Sequence, residues 1–207
     1  MKQDKETKIK LLASAREEFL EKGYMNASLR NICKNAGVTT GALYFFFQDK
    51  ADLYASLVKD TVDTIYAVMN GHFMGESEQA EAGALNHLDE VDGSKDVEDT
   101  QRIIHLMYEH RDEVLMLLTK SQGSPYDGVL DRFIETAEKH YVNMARQMEK
   151  VNPEIKIDDR LIHWLSHQQI EVFVYMITHI ENEQQAMKFM QQSITYMMAG
   201  WYGLFSS

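Results

Sequence analysis

The sequence predicts an all-α protein, and three observations lead to that prediction. The chain has 207 residues but only two prolines, so little in it interrupts a helix. Apolar residues recur at i, i+3 and i+4 spacing through most of its length, which is typical of helices with one buried face. Near the N-terminus, residues 28–50 have the pattern of two short helices joined by a tight turn.

The first predicted helix runs from about Thr7 to Glu21. Its expected inward face consists of Ile9, Leu12, Ala13, Arg16, Phe19 and Leu20. Gly23 follows where a helix-ending glycine belongs, because glycine adopts the left-handed conformation of a C-terminal cap at little cost. We therefore expect this helix to end at Gly23.

A helix-turn-helix is predicted next. Its first helix runs from Ser28 to Asn35, and the Ser28 hydroxyl is suited to accept a free backbone N–H in the first turn. Gly37 supplies the permissive backbone of the turn, and Thr39 caps the second helix. Leu43, with Phe46 or Phe47, would pack that helix down and leave its opposite side free to enter a major groove.

A long connecting helix is predicted from Lys50 to about Asn70. The next thirty residues, 71–100, differ in composition, with four glycines and many Asp and Glu residues. We expect most of that stretch to be a solvated, mobile connection, with one short helix around Ser77–Leu88.

Helical patterning returns in four further segments. Their predicted bounds are about Thr100–Lys120, Tyr126–Val151, Asp158–Ile180 and Asn182–Leu204. A turn cluster, Ser121–Tyr126, separates the first two. The last two helices are joined by a very short polar turn, so they should pack antiparallel. Both are apolar on more than one side, and the surplus apolar face predicts a second copy of the chain completing a four-helix bundle.

Charge is distributed unevenly along the chain. The formal net charge is -11, an odd balance for a DNA-binding protein. Residues 1–60, however, contain ten Lys and Arg against eight Asp and Glu, a local net charge of +2, whereas the remainder carries -13. We call residues 1–60 the head and the remainder the body. The slightly positive charge of the head still permits phosphate contacts, and the negative charge of the body would limit non-specific DNA binding.

Few features indicate a secreted, membrane or catalytic protein. A single cysteine rules out an intramolecular disulfide and fits a reducing cytoplasm. The first ten residues lack the apolar core of a signal peptide, and runs such as Val172–Ile177 are too short to span a bilayer. The sequence has no Gly-rich phosphate loop, nucleophile elbow or paired-histidine zinc motif. We therefore expect a cytoplasmic protein that is not an enzyme and has no cofactor.

Two features leave alternatives open. Cys33 is either a redox switch or, as we favour, an inert small hydrophobe on the apolar face of its helix. His163 and His167 are spaced i, i+4 and so face one side of a helix, where they could hold a metal ion. No cysteine or acidic cluster completes such a site in the sequence, so we expect no metal there.

Residues 9–53 resemble the N-terminal domain of TetR-type (tetracycline-repressor-like, TetR/AcrR) regulators. The residues that match this family's pattern, in register, are Leu20, Gly23, Tyr24, Ser28, Ile32, Ala36, Gly37, Val38, Thr39, Gly41, Leu43, Tyr44, Phe47, Lys50 and Leu53. Cys33 is the one clear departure, because the family usually has alanine there. The resemblance covers about the first quarter of the chain; beyond residue 60 only the general architecture is similar.

The resemblance implies a three-helix DNA-binding domain over residues 1–50 and a larger helical effector-binding and dimerisation domain over 51–207. The expected DNA contacts are Ser28, Thr39, Thr40, Gly41, Tyr44, Phe45 and Lys50. Thr39, Thr40 and Gly41 open the recognition helix and so lie nearest the base edges. Tyr44 and Lys50, like Ser28, are expected on phosphates, which fix the register of the protein without reading sequence. Phe45 could touch a thymine methyl or the backbone.

The resemblance also implies a homodimer that reads a palindromic operator and a repressor that is released by a small-molecule effector. Expected dimer contacts are Leu165, Val172, Met176, Met190, Met197 and Trp201. Expected effector contacts are His105, Tyr108, Tyr126, Tyr141, Trp164 and His167. These residue types favour a flat, fairly apolar and cationic ligand. The alternative is a DNA-binding architectural or partner-controlled factor without an effector.

Overall fold

A computed structural model of the chain describes residues 2–81, 94–154 and 156–206. All regular structure in those ranges is α-helical, which confirms the predicted fold class. The helices are α1 (Lys2–Asn26), α2 (Leu29–Ala36), α3 (Thr40–Phe46), α4 (Lys50–Glu81), α5 (Ser94–Glu109), α6 (Arg111–Thr119), α7 (Val129–Val151), α8 (Asp159–His179) and α9 (Glu183–Ser206). No helix of the described ranges is long and apolar enough to cross a membrane.

The chain divides into two compact units. The first comprises Met1–Thr64 and His110–Val129, and the second comprises Ile65–Glu109 and Leu130–Ser207. Helix α4 is continuous and contributes residues to both units. The domain boundary predicted at residue 50 lies inside the first unit and stays a prediction.

Helix α1 packs on a different face from the predicted one. Ile9 is 57% exposed and Ala13 is also exposed, whereas Leu11 and Ala15 are fully buried. The buried face includes polar Ser14, whose hydroxyl donates a hydrogen bond of 3.0 Å to the carbonyl oxygen of Ile32. Of the predicted inward residues, Phe19 is fully buried and Leu12, Arg16 and Leu20 are half-buried. Apolar periodicity alone misplaced the centre of the buried face, because polar Ser14 belongs to that face and is satisfied by α2.

Gly23 has the expected role of breaking the first helix. Its φ of 72° and ψ of 163° are not helical, and they kink α1 before the helix resumes and continues to Asn26. The kink directs the N–H of Tyr24 to the carbonyl oxygen of Lys120, at 2.9 Å. A residue with a Cβ would be strained at this positive φ.

Two predicted helices have different bounds in the structure. The connecting helix does not end near Asn70 but continues to Glu81, because Met69 and Phe73 are both buried. The segment predicted as Thr100–Lys120 is two helices, α5 and α6, separated at His110, where φ is -113° and ψ is 38°. Residues 82–93, which contain most of the short helix predicted around Ser77–Leu88, lie outside the described residues.

Candidate DNA-binding surface

The turn between α2 and α3 is fixed by the residues that the sequence singled out. The Ser28 hydroxyl accepts a hydrogen bond from the N–H of Asn31 at 3.4 Å, and the Thr39 hydroxyl accepts one from the N–H of Ala42 at 3.2 Å. Gly37 ends α2 in the left-handed conformation, with φ 68° and ψ 30°. The helix-turn-helix is therefore capped at both N-termini and turned by the one residue type that adopts this conformation without strain.

Helix α3 separates its packing side chains from its exposed ones. Leu43 and Phe47 are buried and anchor the helix to the first unit. Thr40 and Gly41 are exposed, and Tyr44 and Phe45 are 57% and 75% exposed. Large exposed aromatics on a short anchored helix form a surface suited to a partner that offers both phosphates and base edges.

Lys50 lies half-buried against α1. Its Nζ donates a hydrogen bond of 3.1 Å to the carbonyl oxygen of Met25 and lies 4.8 Å from the ring centroid of Tyr24. Burial lowers the pKa of Lys50, although the negative charge of Glu18 acts in the opposite direction. A phosphate contact by Lys50 would thus compete with its bond to Met25, and that role stays a prediction.

Glu18 is the buried carboxylate that joins α1 to the helix-turn-helix. It accepts hydrogen bonds from Lys22, from the N–H of Ser28 at 3.0 Å and from the side chain of Asn31 at 3.4 Å. Burial by itself would raise the pKa of Glu18, but these three hydrogen bonds together outweigh it, so the pKa is lowered overall. The residue stabilises the start of α2 and was missed because a glutamate in a charged stretch usually indicates a solvated face.

We expect Glu18→Gln to lower the free energy of unfolding by about 1.5 kcal/mol at neutral pH, because it removes a charged hydrogen-bond acceptor. The lowered pKa means that the contribution of Glu18 is complete above its ordinary pKa of 4.5 and is lost as the pH falls through the folded-state value. The difference from the unaltered chain should therefore shrink below pH 4.5. Urea unfolding at a series of pH values from neutral to acidic measures this difference in the free energy of unfolding. The control is Glu17→Gln, at an exposed residue, which should change neither the free energy of unfolding nor its dependence on pH.

The cations of the first unit fall into two groups. Four are neutralised by carboxylates, in the pairs Lys10–Glu6, Arg16–Glu113, Lys22–Glu18 and Lys59–Asp63. Within the part of the chain that the structure describes, four other exposed cations of this unit form no ion pair with an acid: Lys5, Lys8, Arg30 and Lys34. Arg30 lies in the first turn of α2, where the helix dipole disfavours a cation, so its charge does not stabilise its own helix.

Sequence reasoning missed these four cations. Arg30, Lys34 and Lys5 have no acid three or four residues away, which is a signal that the sequence contains and that a test of helical ion-pair spacing would have found. Lys8 has Asp4 four residues before it, so only the structure shows that its ammonium lies elsewhere, 5.5 Å from the ring centroid of Phe47.

The predicted effector residues differ in burial and in partners, and their role stays a prediction. His105 is exposed and paired with Glu183 at 2.9 Å, and Tyr126 belongs to the first unit. Trp164 is 54% exposed, and His167, also exposed, lies in the same open groove on α8. The hydroxyl of Tyr108 donates to the carbonyl oxygen of Ile180 at 2.7 Å. Patterning located these side chains on helices but could not place them relative to one another.

Tyr141 is the predicted effector residue that lies in an interior, and its neighbours were not predicted. The residue is 5% exposed and lies edge-to-face with Phe73, at a centroid distance of 5.9 Å. Next to it, buried His140 stacks on Phe73 at 4.3 Å, and its Nε2 lies 2.7 Å from a carboxylate oxygen of Glu76. A second imidazole, His72, lies between Glu76 and Asp99. We call Phe73, Glu76, His140 and Tyr141 the buried aromatic–acidic cluster.

The predicted dimer contacts need correction. Met176 and Met190 are fully buried inside the second unit, so they stabilise the α8–α9 pair and are not available to a second chain. Trp201 stacks on Tyr141 within the same unit, at 5.1 Å. Val172 and Met197 do line an open groove on α8 and α9, and Leu165 is half-buried. Among the side chains that the structure describes on these two helices, Trp164, Tyr175 and Tyr196 are large exposed aromatics.

Comparison with known proteins locates the similarity in the helix-turn-helix region. A family model described as "Bacterial regulatory proteins, tetR family" matches residues 11–57. The HTH-type transcriptional repressor BepR of Brucella suis is 43% identical over 53 residues, which are 26% of this chain and 25% of that protein. The similarity thus covers about a quarter of the length of this curated relative.

Solved structures share the fold over nearly the whole chain. A transcriptional regulator described as TerR/AcrR family, from Aquifex aeolicus, superposes with a TM-score of 0.56 at 19% identity, covering 92% of this chain and 99% of that one. A gamma-butyrolactone receptor gives a TM-score of 0.56 at 19% identity, covering 99% and 96%. Residues 11–57 thus match the helix-turn-helix region of the TetR family, and the chain shares an all-helical fold with these solved regulators.

Proposed function

We propose that the chain is a sequence-specific transcriptional repressor that binds a palindromic operator as a homodimer in the cytoplasm, at the nucleoid. The observation that supports this most is the capped, anchored α3, which presents Thr40, Gly41, Tyr44 and Phe45 to solvent. A helix with this division of side chains inserts its N-terminal end into a major groove. The name of its relative from Brucella suis, a transcriptional repressor, supports the direction of regulation.

In this proposal the position of each residue along α3 determines which part of the DNA it contacts. Thr40 and Gly41 lie nearest the base edges, because they open the helix. Thr39 also opens it, but its hydroxyl is already used as a cap, so it positions the helix. Tyr44 and Phe45 lie one turn further along and reach the phosphates and a thymine methyl. Ser28 and Lys50 complete the predicted phosphate contacts.

The open groove on α8 and α9 is the proposed dimer interface. Its lining combines apolar side chains, such as Val172 and Phe189, with exposed Tyr196. A two-fold axis at this groove would place the same surface of each chain against its copy and form a four-helix bundle. Two heads on one axis then read half-sites about 34 Å apart, or slightly more.

The proposed effector binds in the second unit, near the buried aromatic–acidic cluster. Aromatic rings beside the Glu76 carboxylate suit an apolar ligand with a positive charge. One structural relative is a gamma-butyrolactone receptor, which shows that this fold accommodates a small-molecule ligand. Release requires the effector to favour a conformation in which the heads are mis-spaced, and α4, continuous through both units, would carry that change. Calorimetry showing equal effector affinity for free and operator-bound protein would contradict this coupling.

Selection from a library of random DNA duplexes tests the proposed function directly. We expect the full-length chain to enrich a palindromic sequence, and Thr40→Ala to enrich sequences that differ at one symmetric pair of positions, because a base contact is worth about 1–3 kcal/mol of discrimination. Asp63→Ala, on an exposed residue of α4, serves as a control that should recover the unaltered sequence. Recovery of no preferred sequence by the unaltered chain would contradict the proposal.

A further inference from the structure

We infer that Lys5 and Lys8, in the first turns of α1, contact backbone phosphates that flank the bases read by α3. The inference rests on the proposed function, because it concerns how the same surface holds DNA. It assigns a role to a segment that precedes the family match, since α1 begins at Lys2 and the match begins at residue 11.

The ammonium of Lys8 lies near the C-terminal end of the recognition helix, α3. Its Nζ lies 5.5 Å from the ring centroid of Phe47, the residue that follows the last turn of α3. Helix α3 has seven residues, so it is about 10 Å long and its base-reading end lies at about that distance from Phe47. A major groove is about 12 Å wide. An ammonium at the far end of α3 is therefore placed to meet the phosphate wall of the groove.

The charges of Lys5 and Lys8 are both available to bind a phosphate. Lys5 precedes Lys8 by three residues, so the two side chains leave the same side of α1. Both are exposed, and among the described residues neither forms an ion pair. Lys10, on the same helix, is instead held by Glu6 at 2.8 Å. Lys10 is thus neutralised by an acid of its own helix, whereas Lys5 and Lys8 are available to bind an external anion.

The charge balance of the segment points to the same kind of partner. Residues 2–10 contain four lysines and two acids, a net charge of +2, on a chain whose net charge is -11. Lysine is a mobile point charge without the planar fork that reads guanine, so it suits phosphates more than base edges. The expected partner is therefore the sugar–phosphate backbone of double-stranded DNA, independent of sequence.

The test is the salt dependence of DNA binding by the full-length chain. The probe is a fluorescent duplex recovered from random DNA by the unaltered protein, with a scrambled duplex of the same length beside it. Each phosphate contact contributes about -0.9 to the slope of log affinity against log salt concentration. With one contact from each of two chains, Lys8→Gln and Lys5→Gln should each flatten the slope on the selected duplex by about two units.

Lys10→Gln is the matched control, because it removes the same charge from the same helix at a residue already paired with Glu6. It should leave the slope within a few tenths of the unaltered value. Lys8→Arg keeps the charge and should restore the slope. Lys5→Gln guards against a folding effect, since the Lys5 side chain makes no hydrogen bond or ion pair with the described residues.

Slopes of Lys5→Gln and Lys8→Gln equal to that of Lys10→Gln would overturn the inference. Flattening by Lys8→Gln that Lys8→Arg does not restore would also overturn it, because packing against Phe47 would then be the cause. If the unaltered chain enriches no sequence, the proposed function fails separately. The slopes on an arbitrary duplex of fixed sequence, which needs no prior selection, still decide the inference in that case, because phosphate contacts do not depend on sequence.

Discussion

Tyr54→Ala is expected to lower the free energy of unfolding by about 3–5 kcal/mol, enough to abolish DNA binding by loss of the folded head. Tyr54 is fully buried, and its ring lies edge-to-face with Phe19 at 4.9 Å and with Tyr24 at 5.2 Å. Its hydroxyl donates a hydrogen bond of 2.8 Å to the carbonyl oxygen of Met116. One side chain thus links α4 to α1 and α6 within the first unit. Alanine leaves a cavity and removes one of the two hydrogen bonds to the Met116 carbonyl, which also accepts from the N–H of Lys120 at 3.0 Å.

Tyr54→Phe separates the two effects. It keeps the ring and removes only the hydroxyl, so it should cost about 1 kcal/mol. Burial raises the pKa of Tyr54, so the hydroxyl remains a donor under all ordinary conditions. Tyr44→Ala is the matched control, because it makes the same change at a tyrosine that is 57% exposed.

Urea unfolding followed by circular dichroism gives the free energies. Tyr44→Ala should leave stability within about 0.5 kcal/mol of the unaltered chain while weakening DNA binding. A loss below about 1 kcal/mol for Tyr54→Ala would contradict the assignment of Tyr54 as the centre of the unit.

The second large effect is expected at the proposed dimer interface. Tyr196 is 77% exposed on α9 beside the groove lined by Val172 and Phe189. Tyr196→Glu would place two like charges near the two-fold axis and desolvate both on association. We expect a monomer in sedimentation velocity at micromolar concentration and a loss of operator affinity of about 100-fold or more, because the second head no longer binds intramolecularly.

Gln191→Glu provides the control for this substitution. It adds the same charge to an exposed residue of α9 that does not line the groove, so the dimer and its operator affinity should persist. A dimer that survives Tyr196→Glu with unchanged operator affinity would show that the chain associates through another surface.

The head of the fold was predictable because its determinants are local. The cap residues Ser28 and Thr39 and the turn residue Gly37 act within four residues of their own positions, and the structure places each in the expected role. The division of α3 into buried and exposed side chains followed from the same register. Such features depend on backbone geometry that a few neighbouring residues fix.

Features that depend on distant contacts were not predictable from the sequence. The polar atoms of buried Tyr54 and Glu18 are satisfied by residues of other helices, and the sequence analysis singled out neither residue. The break at His110 has no proline or glycine to mark it. The neighbours of the predicted effector residues were not predictable for a related reason, since helical spacing gives the face of a helix but not its neighbours.

The residues of the proposed dimer surface were also not predictable from the sequence. Met176 and Trp164 are both large apolar residues on α8, yet one is fully buried and the other is 54% exposed. An apolar surplus correctly indicated that part of α8 and α9 remains open. It could not distinguish the side chains that fill the unit from those that line the groove, because both kinds are apolar.

A fluorescence-anisotropy titration tests most directly whether the chain binds a palindromic operator as a dimer. The full-length chain would be titrated into the duplex from upstream of its own gene and into the duplex recovered from random DNA, over a series of salt concentrations. We expect saturable binding of two chains per duplex, lost when the palindrome is scrambled. Weak binding to both duplexes, with equal affinity for their scrambled forms and a steep dependence on salt, would contradict it.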